Sequence, residues 1–136
     1  MNAGVVFRFR NQGERGFEET LFTYENGIAD YVAELAGQAP HTPIQFWTGE
    51  RTGRDRPDNK VKLSCAFCFC PAHHIIEHYH NSSWLEHGGA PEKAMRSAFL
   101  SAMDGWLKQN NKYNKNEAKI TWPDVQETLI FVSNNF

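Results

Sequence analysis

The run Val61–Phe69, VKLSCAFCF, sets an apolar side chain at every second position: Val61, Leu63, Cys65, Phe67 and Phe69. Successive side chains of a strand point to opposite faces, so a period of two predicts a strand with that set turned to a core. Lys62, Ser64, Ala66, Cys68 and Cys70 then fall on the other side. Pro71, which has no N–H to give a ladder, ends the run. A strand with two phenylalanines on one face needs both strand partners and a covering layer, and the remainder of the chain has to supply them.

It does so with a mixture of periods. Val5, Phe7 and Phe9 alternate with Val6, Arg8 and Arg10, Asn11-Gln12-Gly13 supplies a turn, and Phe17–Tyr24 reads as a returning strand, so the opening predicts a hairpin. Ile28, Tyr31, Val32, Leu35 and Ala36 lie on one face at helical spacing before Gly37. Thr42–Glu50 predicts a third strand beside Pro43, and Ile75–His80 a fifth that returns after the Pro71 turn. Pro91 stands where a first helical residue belongs, and Ala94/Met95, Ala98/Phe99, Ala102/Met103 and Trp106 continue an apolar stripe. Thr121 with Asp124 three residues on marks another helix start, and Thr128–Ser133 a closing strand. With 136 residues the chain suits one α+β domain that needs no disulfide or metal to hold its core.

Charge narrows the function classes. A formal net charge of -2 leaves attraction to nucleic acid to local patches. Three cysteines crowded into one strand are poor material for a disulfide framework and point to a reducing, cytoplasmic setting. Arg8 and Arg10 interrupt the first apolar residues, so no signal peptide is expected, and no run approaches membrane-spanning length.

The same central stretch is written in metal-ligand letters, since Cys65, Cys68 and Cys70 are followed by His73, His74, His78 and His80. Zinc needs four ligands in a tetrahedron, usually offered by a tight knuckle. Cys65 and Cys68 have knuckle spacing, but residues three apart in a strand face opposite ways and no glycine folds the intervening chain. Cys68 and Cys70 do share a face, and His78 or His80 across a hairpin would complete a zinc site. A small Cys/His metal-binding module therefore stands as the alternative to free cysteine packed as a small hydrophobe. A cysteine nucleophile with a histidine base would need an orienting group and an oxyanion site, and the stretch marks neither.

Two basic segments, Arg51, Arg54 and Arg56 with Lys60 and Lys62, and Lys108, Lys112, Lys115 and Lys119, could neutralise phosphates, although Asp55, Asp58 and Glu117 dilute them. They keep a nucleic-acid-binding module open as a further alternative. Gly88-Gly89 before a helix could present N–H groups to an anion, a weak signal without the rest of a phosphate loop.

Taken in order, YENGIADYVAEL, Asn81 with six residues before Gly88-Gly89, EKAMRSAF, and KITWPDVQETLIFVS carry a resemblance. The chain resembles the second domain of the ATPase half of bacterial type IIA DNA topoisomerases, the gyrase B and topoisomerase IV family. That family writes the segments as YEGGI, N-x6-GGTH, a GFR-containing helix and DVREGL. The resemblance runs from about Gly4 to Phe136 and implies a single transducer domain over residues 4–136, with residues 1–3 a remnant outside it. It also implies a ribosomal-protein-like α+β fold: a mixed or antiparallel sheet, helices on one face and a left-handed βαβ crossover. It implies a role too, the relay of ATP-driven closure to the DNA gate, in a body that lines the cavity for the transported duplex. Arg96 stands at the GFR arginine and is expected to face that DNA; Asn81, Gly88, Gly89, Asp124 and Glu127 match motif positions. Ala90-Pro91 replaces the Thr-His of GGTH, and Gln126 and Thr128 replace the arginine and glycine of DVREGL, so the chain is a divergent member. ATP and Mg are implied for the full-length enzyme and not for this fragment, which is expected to be inactive alone. The implied partners are DNA, bound weakly by the fragment, other domains of the same chain, the DNA-cleaving A-type subunit and a second gyrase B chain, in the bacterial cytoplasm at the nucleoid.

Overall fold

The computed structural model describes residues 2–38, 40–54, 56 and 58–136. Met1 of the expected remnant and Asp55 of the basic loop lie outside them. Strands β1 (Val6–Gly13) and β2 (Gly16–Thr23) form the expected hairpin, antiparallel with Val6 opposite Thr23 and Gly13 opposite Gly16, but the turn expected at Asn11-Gln12-Gly13 falls at Glu14-Arg15 instead, because those three residues continue the ladder of β1. The alternation there does not mean a buried face: every residue of both strands is exposed, Phe7, Phe9 and Phe17 by 60–68%.

The body is a five-stranded sheet of β3 (Gln45–Thr52), β4 (Lys60–Phe69), β5 (Ile75–His80), β6 (Ser83–Trp84) and β7 (Leu129–Asn135), in the order β3-β4-β7-β5-β6. Strand β7 runs antiparallel to β4 and parallel to β5. Parallel neighbours cannot be joined by a tight turn. The connection here passes through β6, helix α2 (Gly89–Gln109) and helix α3 (Trp122–Gln126). The expected hairpin of β4 with β5 is thus replaced by two strands that both flank β7. The two-residue β6 leaves too little sequence for alternation to register.

Helix α1 (Ile28–Ala36) lays Ile28, Val32 and Ala36 on Ala66, Cys68 and Cys70 of β4 and on Ile130 and Val132 of β7. Helices α2 and α3 lie on the opposite face, where Met95 and Val125 join Leu129 and Phe131, with Cys65, Phe67, Phe69, Ile76 and Phe99 around them. Helices therefore cover both faces and not one. The parity reading of β4 is corrected for the same reason: Ala66 and Cys68 are fully buried, although their even-numbered parity predicts the outer side. Strands near the centre of a doubly covered sheet are apolar on both sides. In α2, Met95, Phe99 and Met103 turn toward the sheet, while Ala94, Ala98, Ala102 and Trp106 remain exposed.

Candidate functional site

Arg96 projects from the second turn of α2 and is held from two sides. Its guanidinium pairs with the carboxylate of Glu92, one helical turn earlier, and lies over the Trp122 ring, 5.1 Å from the ring centre. The side chain is still 45% exposed, so the guanidinium stays open to solvent between its two partners.

The other motif positions are structural. Asn81 takes a left-handed conformation (φ 47°) and its N–H donates to the Asn135 carbonyl at 2.8 Å, which ties the end of β5 to β7. Gly88 also has positive φ (64°), and the Glu92 side chain folds over the place where a Cβ would sit, so a side chain there would meet both strain and a clash. The Asp124 carboxylate accepts the Thr121 N–H at 2.7 Å and the Thr121 hydroxyl at 2.6 Å, the reach-back half of a capping box. The hydroxyl and backbone bonds from Thr121 hold the Asp124 carboxyl below its ordinary pKa. The Glu127 N–H closes α3 onto the Pro123 carbonyl.

The basic residues divide between two segments. Arg51 lies one residue before the end of β3, and Arg54 and Arg56 line an open depression of about 360 Å³ with Gly53 and Asn59. Lys112 and Lys115 are exposed on the connection between α2 and α3. No hydrogen bond or ion pair among the described residues joins one group to the other or to Arg96.

The zinc alternative fails on the sheet's geometry. Cys68 lies opposite Ile130, and Ile130 opposite Ile75, so Cys68 and Cys70 belong to the α1 face. His78 lies opposite Ser133, which lies opposite Cys65, so His78 and His80 belong to the α2 face. With β7 between the strands and the sheet between the faces, the four side chains do not converge. Among the described residues no group of three or more His, Cys, Asp or Glu side chains is placed to hold a metal ion. Burial pushes the Cys65 and Cys68 thiols up in pKa, and the Cys70 sulfur lies 3.9 Å from the Ala36 carbonyl oxygen. This is the packing of small hydrophobes. His78 is buried, its Nδ1 bonded to the Ser133 hydroxyl at 2.9 Å and its ring tilted over Phe131. Its Nε2 has no partner among the described residues, and burial pushes the imidazole down in pKa against the opposing pull of Glu92.

Two features went unseen in the sequence. An apolar groove of about 670 Å³ runs between the Ala90, Ala94 and Ala98 edge of α2 and the β3–β4 side of the sheet, where Trp47 and Val61 are half exposed. The available signal was that Trp47 shares the parity of Gln45 while only one long helix serves that face. The other is a cluster of Tyr24, Tyr31 and Tyr79 with Glu34 and Glu77, whose members stand too far apart in sequence for spacing to link them.

A family model described as DNA gyrase B matches residues 27–136. The DNA gyrase B protein of Chlamydia muridarum is 24% identical over 136 residues, which takes in 97% of this chain and 16% of the relative. That of Spiroplasma citri is 28% identical over 143 residues, 97% of this chain and 20% of the relative. The chain thus spans a fifth or less of the length of these two relatives. Among solved structures, the 43K ATPase domain of Thermus thermophilus gyrase B, in complex with an aminocoumarin, matches with a TM-score of 0.73 at 22% identity. That match covers 98% of this chain and 35% of the other, and it speaks for the fold. With the five-stranded sheet and all three helices inside residues 27–136, the chain belongs to the DNA gyrase B family.

Proposed function

We propose that residues 4–136 are the transducer domain of an ATP-dependent type IIA DNA topoisomerase of the gyrase B type. In this role the body relays nucleotide-driven closure of an ATP-binding domain to the DNA gate and lines the cavity that holds the transported duplex. The observation that carries the reading is the family match across the whole five-stranded body. The physics agrees with it: a sheet packed on both faces moves as a unit, which a mechanical relay requires. Arg96, clamped by Glu92 and Trp122 yet open to solvent, suits a phosphate contact that positions DNA without reading its sequence. ATP and Mg²⁺ are assigned to the whole enzyme. So are the A-type subunit, pairing of two gyrase B chains, and a place in the bacterial cytoplasm at the nucleoid. Among the described residues no helix is long and apolar enough to cross a membrane.

The test has two arms. The purified 136-residue chain should not turn over ATP; measurable hydrolysis by it would sink the assignment. In the full-length enzyme, Arg96→Ala should lower DNA-stimulated strand passage roughly ten-fold, the weight of one charge-assisted phosphate bond, with basal ATP hydrolysis unchanged. Strand passage at the parent rate would remove Arg96 from the DNA-facing role. The second reading, an autonomous nucleic-acid-binding module, rests on the Arg54–Arg56 depression. It requires tight DNA binding by the isolated chain that weakens steeply with salt, where the transducer reading expects weak binding at most.

A further inference from the structure

We propose that Tyr24 is a latch that fixes the angle of the β1–β2 hairpin to the body through a phenol–carboxylate network ending on β5. The purpose of such a latch rests on the transducer reading; its geometry does not. The hairpin contributes no residue to either core cluster, so what holds it must lie at its root. There the Tyr24 carbonyl accepts the Gly4 N–H at 2.9 Å and the Gly27 N–H at 3.2 Å. The Tyr24 hydroxyl donates to Glu34 of α1 at 2.6 Å, and its ring meets the Tyr31 ring edge-on with centres 5.8 Å apart. Tyr31 in turn donates to Glu77 of β5 at 3.0 Å, and Tyr79 donates to the same oxygen of Glu77 at 2.8 Å. Glu77 lies opposite Val132 of β7, the central strand.

The joint itself is stiff on one side. The Asp30 carboxylate accepts both the backbone and the side-chain N–H of Asn26, which holds the chain entering α1. Gly27, at φ 59°, supplies the left-handed turn by which the chain enters α1. Glu34, accepting the phenol's hydrogen bond, pushes the Tyr24 hydroxyl pKa up to about 12, so it remains a donor throughout the physiological range. A displacement of the hairpin therefore either carries α1 and Glu77 with it or breaks the Tyr24–Glu34 hydrogen bond and the Tyr24–Tyr31 ring contact. An element with two such arrangements is what a relay needs.

The chain's four tyrosines make the network directly observable. Three belong to it, and the fourth, Tyr113, bonds to Asp104 at 2.9 Å and to the Ile120 N–H at 3.1 Å and serves as a reference. In 3-fluorotyrosine-labelled protein, Tyr24→Phe should shift the ¹⁹F resonances of Tyr31 and Tyr79 and leave Tyr113 in place. Glu77→Gln should shift the Tyr24 resonance in return. Amide exchange in β2 should quicken roughly three- to ten-fold in Tyr24→Phe, the range expected for one lost hydrogen bond. A Tyr79 resonance and a β2 exchange rate both unchanged by Tyr24→Phe would overturn the latch. Coupling observed in the chain alongside unaltered strand passage in the full-length Tyr24→Phe enzyme would support the latch while removing its transducer purpose.

Discussion

The two faces of the central sheet are covered by helices of very different length, and the shorter one does the better job. Nine-residue α1 seals the strands beneath it: Ala66, Cys68, Ile130 and Val132 are all at 0% exposure. Twenty-one-residue α2 leaves an apolar groove open on the other. The difference lies in side-chain size. Alanine and cysteine let α1 come down close to the strands, whereas Phe67, Phe69, Phe99 and Phe131 stack edge-to-face with ring centres 5.1–6.4 Å apart and prop α2 away from the sheet. Coverage of a sheet thus depends on how near a helix can approach, more than on how far it runs.

This contrast predicts an ordering of mutational costs. Ile130→Ala, on the sealed face with no room to relax, should cost about 3–4 kcal/mol in urea unfolding. Phe99→Ala opens onto a groove that already admits solvent and should cost less, about 2 kcal/mol; a larger loss than for Ile130→Ala would break the comparison. Next come the thiols: Cys68→Ser puts a hydroxyl into a dry layer and should cost about 1–3 kcal/mol, against under about 1 kcal/mol for half-buried Cys65→Ser. Neither change should release zinc.

The acid response sharpens the picture of the α2 face. Burial lowers the pKa of His78 in the folded chain, so the unfolded chain takes up the proton first. Stability from the neutral histidine is complete above the unfolded value of about 6.5 and drains as pH falls toward the folded one. Melting temperature should therefore drop as pH falls below about 6.5, and His78→Gln should flatten that drop; an undiminished slope would place the sensitivity elsewhere. The smallest effect belongs to the groove wall, where Val61→Thr should stay within about 0.5 kcal/mol.

Much of this architecture is legible in the residues. Period-two runs mark β1 to β5, and Gly37, Pro91 and the Thr121–Asp124 pair mark helix ends within a residue or two. The strand order is not, because nothing local in Leu129–Asn135 says that it inserts between β4 and β5. From that one topological fact follow the failed parity assignment for Ala66 and Cys68 and the separation of the cysteines from the histidines. The hairpin misleads for a converse reason, since alternation reports an amphipathic ribbon whether or not anything packs on it. Four motifs in register were enough to point to the family, which the match over residues 27–136 bears out. Trp122 as the platform for Arg96 was beyond reach, because a cation over a ring so distant in the chain is a tertiary event.

The late position of β7 in the chain has a consequence for biosynthesis. As the polypeptide leaves the ribosome, β4 and β5 emerge with no ladder between them, each presenting an open edge until Leu129–Asn135 arrives. Strands β4 and β5 must wait with those edges open for that closing strand, so translation speed and chaperone capture over that interval should govern the yield of native protein.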